Sequence, residues 1–356
     1  MLDELEVFNT SQTVTQKGID NSSARVLPKG TVVFSRTATV GKATVLGREM
    51  ATSQDFACYI CGPRVHNHFL VYLFRHMAPE WRRYMAGSTH NTVYMPVFRT
   101  LRVPLPPRRE QEAIAEALRD ADALIASVEQ LIAKKRAVKQ GAMQELLSGR
   151  RRLPGFSGDW TSQQLGSLLS RRPAYGLNAP AVPYDTRHPA YIRITDITDD
   201  GRFDPTARAS VIHPTAELYR LEPGDLVLAR TGASTGKSYL YRETDGDLVF
   251  AGFLIRISPD QEKLSPRYLG VQLDTASYWE WVRANSMRSG QPGINGRQYA
   301  SMPVPLPPTR AEQDAIAEVL TDMVAETEAL ETRLKKARRI KQGMMQELLT
   351  GRVRLV

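Results

Sequence analysis

Two stretches of the chain place apolar side chains at alternating steps of four and three. The first runs through Ile114, Leu118, Ala121, Ile125, Val128 and Ile132; the second through Ile316, Leu320, Met323, Leu330 and Leu334, with Thr327 at one position. This is the seam of a heptad-repeat helix. Pro106-Pro107 and Pro307-Pro308 stand just ahead of the two stretches, where a helix tolerates proline. Ser148-Gly149 and Thr350-Gly351 follow them, where glycine takes the left-handed turn that ends a helix. Acidic residues come early (Glu110, Glu112, Glu116) and basic ones late (Lys134, Lys135, Arg136, Lys139), the order the helix dipole favours. Roughly 38 residues at about 1.5 Å each give a rod of roughly 57 Å, longer than a globular core usually needs. Equal lengths and identical registers predict that the helices cover each other's seams through Ile114, Leu118, Ile125, Val128, Ile132, Ile316, Leu320, Met323, Leu330 and Leu334. Packing of each helix on its own globular domain is the alternative.

The two stretches are copies of one block. "VPLPPRREQEAIAEAL" begins at Val103 and "VPLPPTRAEQDAIAEVL" at Val304; "KQGAMQELLSGR" from Lys139 returns as "KQGMMQELLTGR" from Lys341. Glu110 and Glu312 are 202 residues apart, as are Lys139 and Lys341, so nothing is inserted inside the block. A weaker repeat links the segments between. "LPKGTVVFSRTATVGKATVL" from Leu27 parallels "LEPGDLVLARTGASTGKSYLY" from Leu221, each an apolar strand running into a polar loop and a second strand. "WRRYMAGST" from Trp81 parallels "WVRANSMRSG" from Trp281. The repeats predict the order domain, helix, domain, helix: residues 1–107, 108–150, 151–308 and 309–356, in an α+β class with pseudo-twofold character.

Charge narrows the partner. In 356 residues, 47 Lys and Arg face 38 Asp and Glu, a net charge of +9 with pI near 9.6. That balance favours a polyanion, nucleic acid before an anionic membrane surface. The sequence has no apolar run of 18 residues, and "MLDELEVFNT" lacks the features of a signal peptide, so a cytoplasmic protein with no membrane partner is expected. Cys58 and Cys61 with His66 and His68 raise a zinc site. The spacing is too short for the usual pattern, and the second copy reads "FAGFLI" where the first reads "FACYIC", so no metal is expected. His66, His68, His76 and His90 have no nucleophile at a telling spacing, so no catalytic residue is assigned. "RTGASTGKS" from Arg230 looks like a phosphate-binding P-loop, yet only Ala233, Ser234 and Thr235 separate Gly232 from Gly236 where four residues are required. A P-loop ATPase with a coiled-coil arm is accordingly a minor alternative.

"PLPP" followed by "EQ", a long helix ending "QELLSGR" or "QELLTGR", the lead-in "LPGFSGDWTSQQLGSLLS" from Leu153, and the duplication of the helical block together resemble the specificity subunit of a type I restriction-modification system, across essentially the whole chain. The resemblance implies two target-recognition domains, each reading half of a split double-stranded DNA target. It implies that the helices pair as an antiparallel coiled coil that sets the gap and docks two methyltransferase subunits, with restriction-translocase subunits joining the complex. S-adenosylmethionine, ATP and Mg would then bind partner subunits, none binding this chain directly, and this chain would be a non-catalytic subunit. No Asn/Asp-Pro-Pro-aromatic motif, helicase motif or nuclease carboxylate set appears in the sequence. A truncated or silent allele, acting only as a methyltransferase-binding or recombination-donor protein, is the alternative, because the first domain is short. Only 29 residues precede Gly30, whereas its counterpart Gly224 lies 68 positions beyond Phe156, so about 40 residues, including any match to "YIRITDITDDGRF" from Tyr191, have no first-domain equivalent.

Lys and Arg on phosphates supply affinity, and polar side chains at base edges supply sequence choice. For the second domain the expected DNA contacts are Arg193, Thr195, Arg230, Thr231, Ser234, Thr235, Lys237, Arg288, Ser289 and Gln291. For the first they are Arg36, Thr37, Thr39, Lys42, Ser88, Thr89, His90 and Asn91.

Overall fold

A computed structural model describes residues 2–86, 91–286 and 291–355 of the chain, which divides into two units: Met1–Ile132 with Ala329–Val356, and Ala133–Glu328. The first unit runs β1 (Glu6–Val7), α1 (Gln16–Asp20), β2 (Arg25–Leu27), β3 (Val32–Ser35), β4 (Ala43–Leu46), β5 (Met50–Thr52), β6 (Phe56–Tyr59), α2 (Asn67–His76), α3 (Ala78–Tyr84) and α4 (Met95–Thr100), then enters α5 (Arg108–Leu146). Its main sheet has the order β1-β4-β3-β6, and β2 pairs with β5 apart from it. The register sets Val32 against Val45 on one side and Tyr59 on the other. The wholly buried strands β3 and β4 lie under α2, whose residues Phe69 to Phe74 join Phe34, Trp81 and Phe98 in an aromatic core. Arg75 donates to the carbonyls of Leu2, Asp3, Glu4 and Ala43, which fixes the lead-in beside β4.

The second unit opens with the end of α5, then β7 (Thr161–Gln164), a 3-10 turn (Leu165–Leu168), β8 (Leu169–Tyr175), β9 (Val182–Pro183), β10 (Ala190–Ile192), β11 (Ala209–Ser210), β12 (Leu226–Ala229), β13 (Ser238–Leu240), β14 (Leu248–Phe250) and β15 (Leu254–Pro259). It continues through α6 (Pro266–Gln272), α7 (Ala276–Ser286), α8 (Gly296–Ala300) and β16 (Pro303–Leu306) into α9 (Arg310–Leu348). Sheets of order β13-β12-β15-β8 and β14-β10-β11-β9 are joined by the pair β16-β7. Here β12, β13 and β15 correspond to β3, β4 and β6. The segment from Tyr191 is a strand, a 3-10 turn at Ile194–Asp196 and a single bridge from Ile197 to Phe203. Among the described residues, no helix is long and apolar enough to cross a membrane.

Helices α5 and α9 are each 39 residues long. Gly149 and Gly351 end their segments at φ +72° and +75°, a conformation a Cβ would oppose. The helices run antiparallel inside each unit: Glu129 pairs with Arg338 at 2.6 Å and Asp122 with Lys341 at 2.5 Å in the first, Lys135 with Glu326 at 2.6 Å in the second. The basic runs late in each helix thus supply cross-helix ion pairs. The heptad seam is divided in its use. Ile114 and Leu118 sink into the first domain's core beside Leu348 and Leu349, and Ile316 and Leu320 into the second's beside Leu146 and Leu147. Val128 and Ile132 are buried further along α5, whereas Ile125, Met323, Leu330 and Leu334 are half-buried. Domain packing thus takes the first part of each seam, and further along the helices are joined by the cross-helix ion pairs.

The repeated Glu-Gln dipeptide joins helix to domain. Gln111 accepts from the His66 amide and donates to the Arg64 and Pro106 carbonyls; Gln313 accepts from the Ser265 amide and donates to the Lys263 carbonyl. His66 and Ser265 are the N-caps of α2 and α6. Beside them the buried Glu110 accepts two hydrogen bonds from Arg354, and the buried Glu312 two from Arg152. Each domain is therefore latched both to the start of its own helix and to the residues that follow the other.

Candidate nucleic-acid interface

The loop between β12 and β13 is a hairpin corner. Gly236 sits at φ +94° and its counterpart Gly41 at +95°, and each donates back to the end of the preceding strand, Gly236 to Ala229 and Gly41 to Ser35. A Cβ at Gly236 would also come within 2.9 Å of Val282 on α7. The glycine of the repeated Gly-Lys therefore serves a turn and a close helix approach, and no phosphate cradle is formed. Buried Tyr278 and Tyr299 pin this corner by donating to the Gly236 and Ala229 carbonyls at 2.6 and 2.9 Å. The first copy makes the same corner with Ala38 at φ +57° in the place of Gly232 at +76°.

Each corner is brought against a second loop from far along the chain. The Ile294 amide donates to the Arg230 carbonyl at 2.9 Å, and the Val93 amide donates to the Arg36 carbonyl at 2.9 Å. The Thr231–Gly293 and Thr37–Thr92 bridges extend these contacts. Arg230, Thr231, Ser234 and Gln291 thus share one rim of the second domain; Arg36, Thr37, Thr39 and Asn91 share the equivalent rim of the first. Ser88, Thr89, His90, Arg288 and Ser289 lie outside the described residues.

Not every side chain expected at DNA has its donors open. The Arg193 guanidinium grips the buried Asp196 carboxylate through two bonds of 2.8 Å and donates to the Ala207 carbonyl, and the ion pair holds its pKa above the ordinary arginine value. The Thr195 hydroxyl donates to the same carboxylate. Thr235 is buried and donates to the Gly232 carbonyl, which stiffens the corner. The lysines of both Gly-Lys pairs face an aspartate: Lys237 meets Asp199 at 2.5 Å, and Lys42 meets Asp3 at 2.8 Å, holding the Asp3 carboxyl below its usual range. Arg36 gives its Nε to the Gln54 carbonyl, and Thr39 shares a bond with Ser35. Arg230 lies over the Tyr175 ring, 4.8 Å from its centroid.

Tyr175 belongs to a cleft that the sequence reading missed. Beside Tyr175 and Gly296, exposed Arg172 on β8 and Arg297 on α8 line it, adding cations and an exposed aromatic ring to the rim that holds Arg230. "RRPAY" and "NGRQY" carry the basic and aromatic signal, but among the described residues β8 has no first-domain counterpart, and "YMPVF" from Tyr94, the counterpart of "NGRQY", has no arginine. Cys58 and Cys61 are free thiols, half-buried on and just after β6, and burial raises both pKa values. No group of three or more His, Cys, Asp or Glu among the described residues is placed to hold a metal ion. His66 caps α2 and is kept below its usual pKa by burial, then by Arg108; His68 bonds Glu6 at 2.7 Å. Both serve the fold.

The profile of the family described as type I restriction modification DNA specificity domain matches residues 4–134 and 185–339. The type I restriction enzyme MjaIX specificity subunit of Methanocaldococcus jannaschii is 28% identical over 116 residues, 32% of this chain and 27% of that protein. The StySPI specificity subunit of Salmonella potsdam is 23% identical over 364 aligned residues, 93% of this chain and 75% of that protein. A solved S subunit of a type I restriction-modification system from M. genitalium is similar in fold, with a TM-score of 0.62 at 14% identity over 91% of this chain and 84% of that one.

Proposed function

Since the chain belongs to the type I restriction-modification DNA specificity domain family, we propose that it selects a split double-stranded DNA target and carries no chemistry of its own. The observation that supports this reading is the duplicated rim, in which one strand-to-strand corner and one distant loop are tied by the same main-chain bond in both domains. Rims of this kind present polar groups from rigid elements, as base readout requires. In the second domain Arg230, Arg172 and Arg297 take phosphates, while Thr231, Ser234 and Gln291 stand where base edges are read. Paired helices α5 and α9 set the gap between half-sites and dock two methyltransferase subunits, to which restriction subunits attach. S-adenosylmethionine, ATP and Mg act on those partners.

The test is co-expression with the cognate methyltransferase subunit, followed by mapping of methylated adenines on host DNA. A bipartite motif with a fixed gap is expected. Insertion of four residues near Ala126, about 6 Å of helix, changes the gap and leaves both half-sites intact. Arg230→Ala with Arg297→Ala weakens DNA binding and flattens its salt dependence. A methylome unchanged by the chain's presence would overturn the reading; a single undivided half-site would confine it to the second domain.

A further inference from the structure

The Gly-Lys pair repeats at both corners, and in each the lysine is already held by a carboxylate. Lys237 Nζ donates to Asp199 at 2.5 Å, and Lys42 Nζ to Asp3 at 2.8 Å. The lysines match in the repeat, but the aspartates do not. Asp3 stands ahead of β1, whereas Asp199 lies in the stretch from Tyr191 that has no first-domain equivalent. Two unrelated segments thus bring an acid to the same place, and in both the backbone fixes it there. The Thr198 hydroxyl accepts from the Arg202 amide, and Gly201, at φ +71°, donates to the Thr198 carbonyl, closing the turn that carries Asp199. In the first domain Arg75 donates to the carbonyls of Leu2, Asp3 and Glu4. The carboxylates themselves stand in solvent, 96% exposed at Asp199 and 72% at Asp3. Among the described residues neither makes another hydrogen bond. An exposed ion pair adds little to stability, so its recurrence points to what the lysine would otherwise touch. The arginines of the second rim are not restrained in this way: Arg230 meets a ring and a carbonyl, and Arg172 and Arg297 are exposed in the cleft.

We propose that Asp199 and Asp3 determine specificity by restraint: each holds its lysine off the phosphates of DNA that lacks the target, and so lowers non-target affinity. This rests on the reading of the two rims as a DNA surface. A free ammonium beside a duplex takes any phosphate, whatever the sequence, and releases a condensed counterion as it does so. Such contacts add affinity without information. A genome offers far more non-target sites than targets, so a rim discriminates better when these contacts are withheld. The carboxylate withholds them in two ways, by occupying the ammonium and by repelling the phosphate that approaches it. Arg230, Arg172 and Arg297, unopposed by an acid, keep the general attraction of the second rim for the duplex.

The test is a double-mutant cycle on the full chain, read by the anisotropy of a labelled pool of random-sequence duplexes of about 40 base pairs, from about 0.05 to about 0.3 M KCl. Asp199→Asn, a change at an exposed side chain, is expected to tighten binding about fivefold at about 0.1 M KCl and to steepen the log–log salt dependence by about one. Lys237→Gln is expected to cost about fivefold more affinity in the Asp199→Asn chain than in the wild type. Asp3→Asn and Lys42→Gln form the second cycle, with the same expectation. Equal losses for Lys237→Gln in both backgrounds overturn the proposal, since the lysine then takes a phosphate beside its aspartate. So does an Asp199→Asn chain with unchanged affinity and slope. Coupling in one domain alone overturns the proposal for the other. Arg230→Ala with Arg297→Ala separates this failure from that of the functional reading. Uncoupled cycles alongside a loss of binding from these two changes overturn the restraint alone; binding that ignores both arginines overturns the reading of the rim as well.

Discussion

Leu105 and Leu306 hold the third position of the same pentapeptide, Val-Pro-Leu-Pro-Pro, yet one is nearly half exposed and the other lies in a core. The difference is made by what each unit has to pair with it: β7 covers Leu306, and no described strand covers Leu105. The same contrast separates Ser258 from Ile60 and Asp225 from Thr31. Around β8 the second domain built a polar node, in which the buried Asp225 carboxylate accepts from Arg171, Ser258 and the Glu222 amide. The first domain has Thr31, whose hydroxyl donates to the Pro28 carbonyl. Identical backbone topology in β3-β4-β6 and β12-β13-β15 thus tolerates two chemistries at the edge, one already satisfied and one left open.

The largest expected effect breaks the satisfied node. Asp225→Ala takes the acceptor from the buried Ser258 hydroxyl and the Glu222 amide as well as one partner from Arg171, and should cost the second domain about 4 kcal/mol, whereas Thr31→Ala should cost the first about 1. Segment-resolved exchange in denaturant distinguishes the two, and equal costs would erase the contrast. Next is the leucine pair. Leu306→Ala opens a core cavity and should cost about 3 kcal/mol, against less than about 1 for Leu105→Ala. If Leu105→Ala proved as costly, that side chain would already be covered in solution.

The long helices, their glycine stops and the duplicated plan were legible because heptad spacing and the fixed 202-residue offset are local, repetitive signals. The latches were not. Arg354 reaches Glu110 and Arg152 reaches Glu312 across 244 and 160 residues, and spacing alone cannot pair side chains so distant. At the rim, Arg230 and Thr231 were visible through their repeat in Arg36 and Thr37. The internal duty of Arg193 was not visible, since an aspartate three residues on reads equally as a solvated neighbour. Arg172 and Tyr175 escaped because β8 has no copy among the described residues of the first domain, and Arg297 because Pro96 stands at its place, so the comparison that exposed the repeat also hid the part of the site that is unique.

A third prediction concerns a feature the two domains share. Gln111→Ala and Gln313→Ala each strip the amide of an N-cap residue of its acceptor, part-buried at His66 and buried at Ser265, and at least one carbonyl of its donor, and each should cost about 2 kcal/mol. Similar losses would show that the first domain's helix latch is as complete as the second's, despite the open edge. A much smaller loss for Gln111 would extend the incompleteness from the edge to the helix junction.

The smallest effect is a pH dependence that isolates one latch. Hydrogen bonds from Arg354 hold the Glu110 carboxyl below its ordinary value of 4.5. A depressed native pKa means the unfolded chain binds the proton more readily. This contribution is therefore fully present above about 4.5 and is lost as the pH falls through the native value. The urea midpoint of the first domain should fall on acidification more in the wild type than in Glu110→Gln, which has no proton to take up there. Arg354 is more than half exposed, so salt should shrink the difference. Parallel acid limbs for the two proteins would mean that the latch holds by packing and shape, and that its charge contributes nothing to the stability of the first domain.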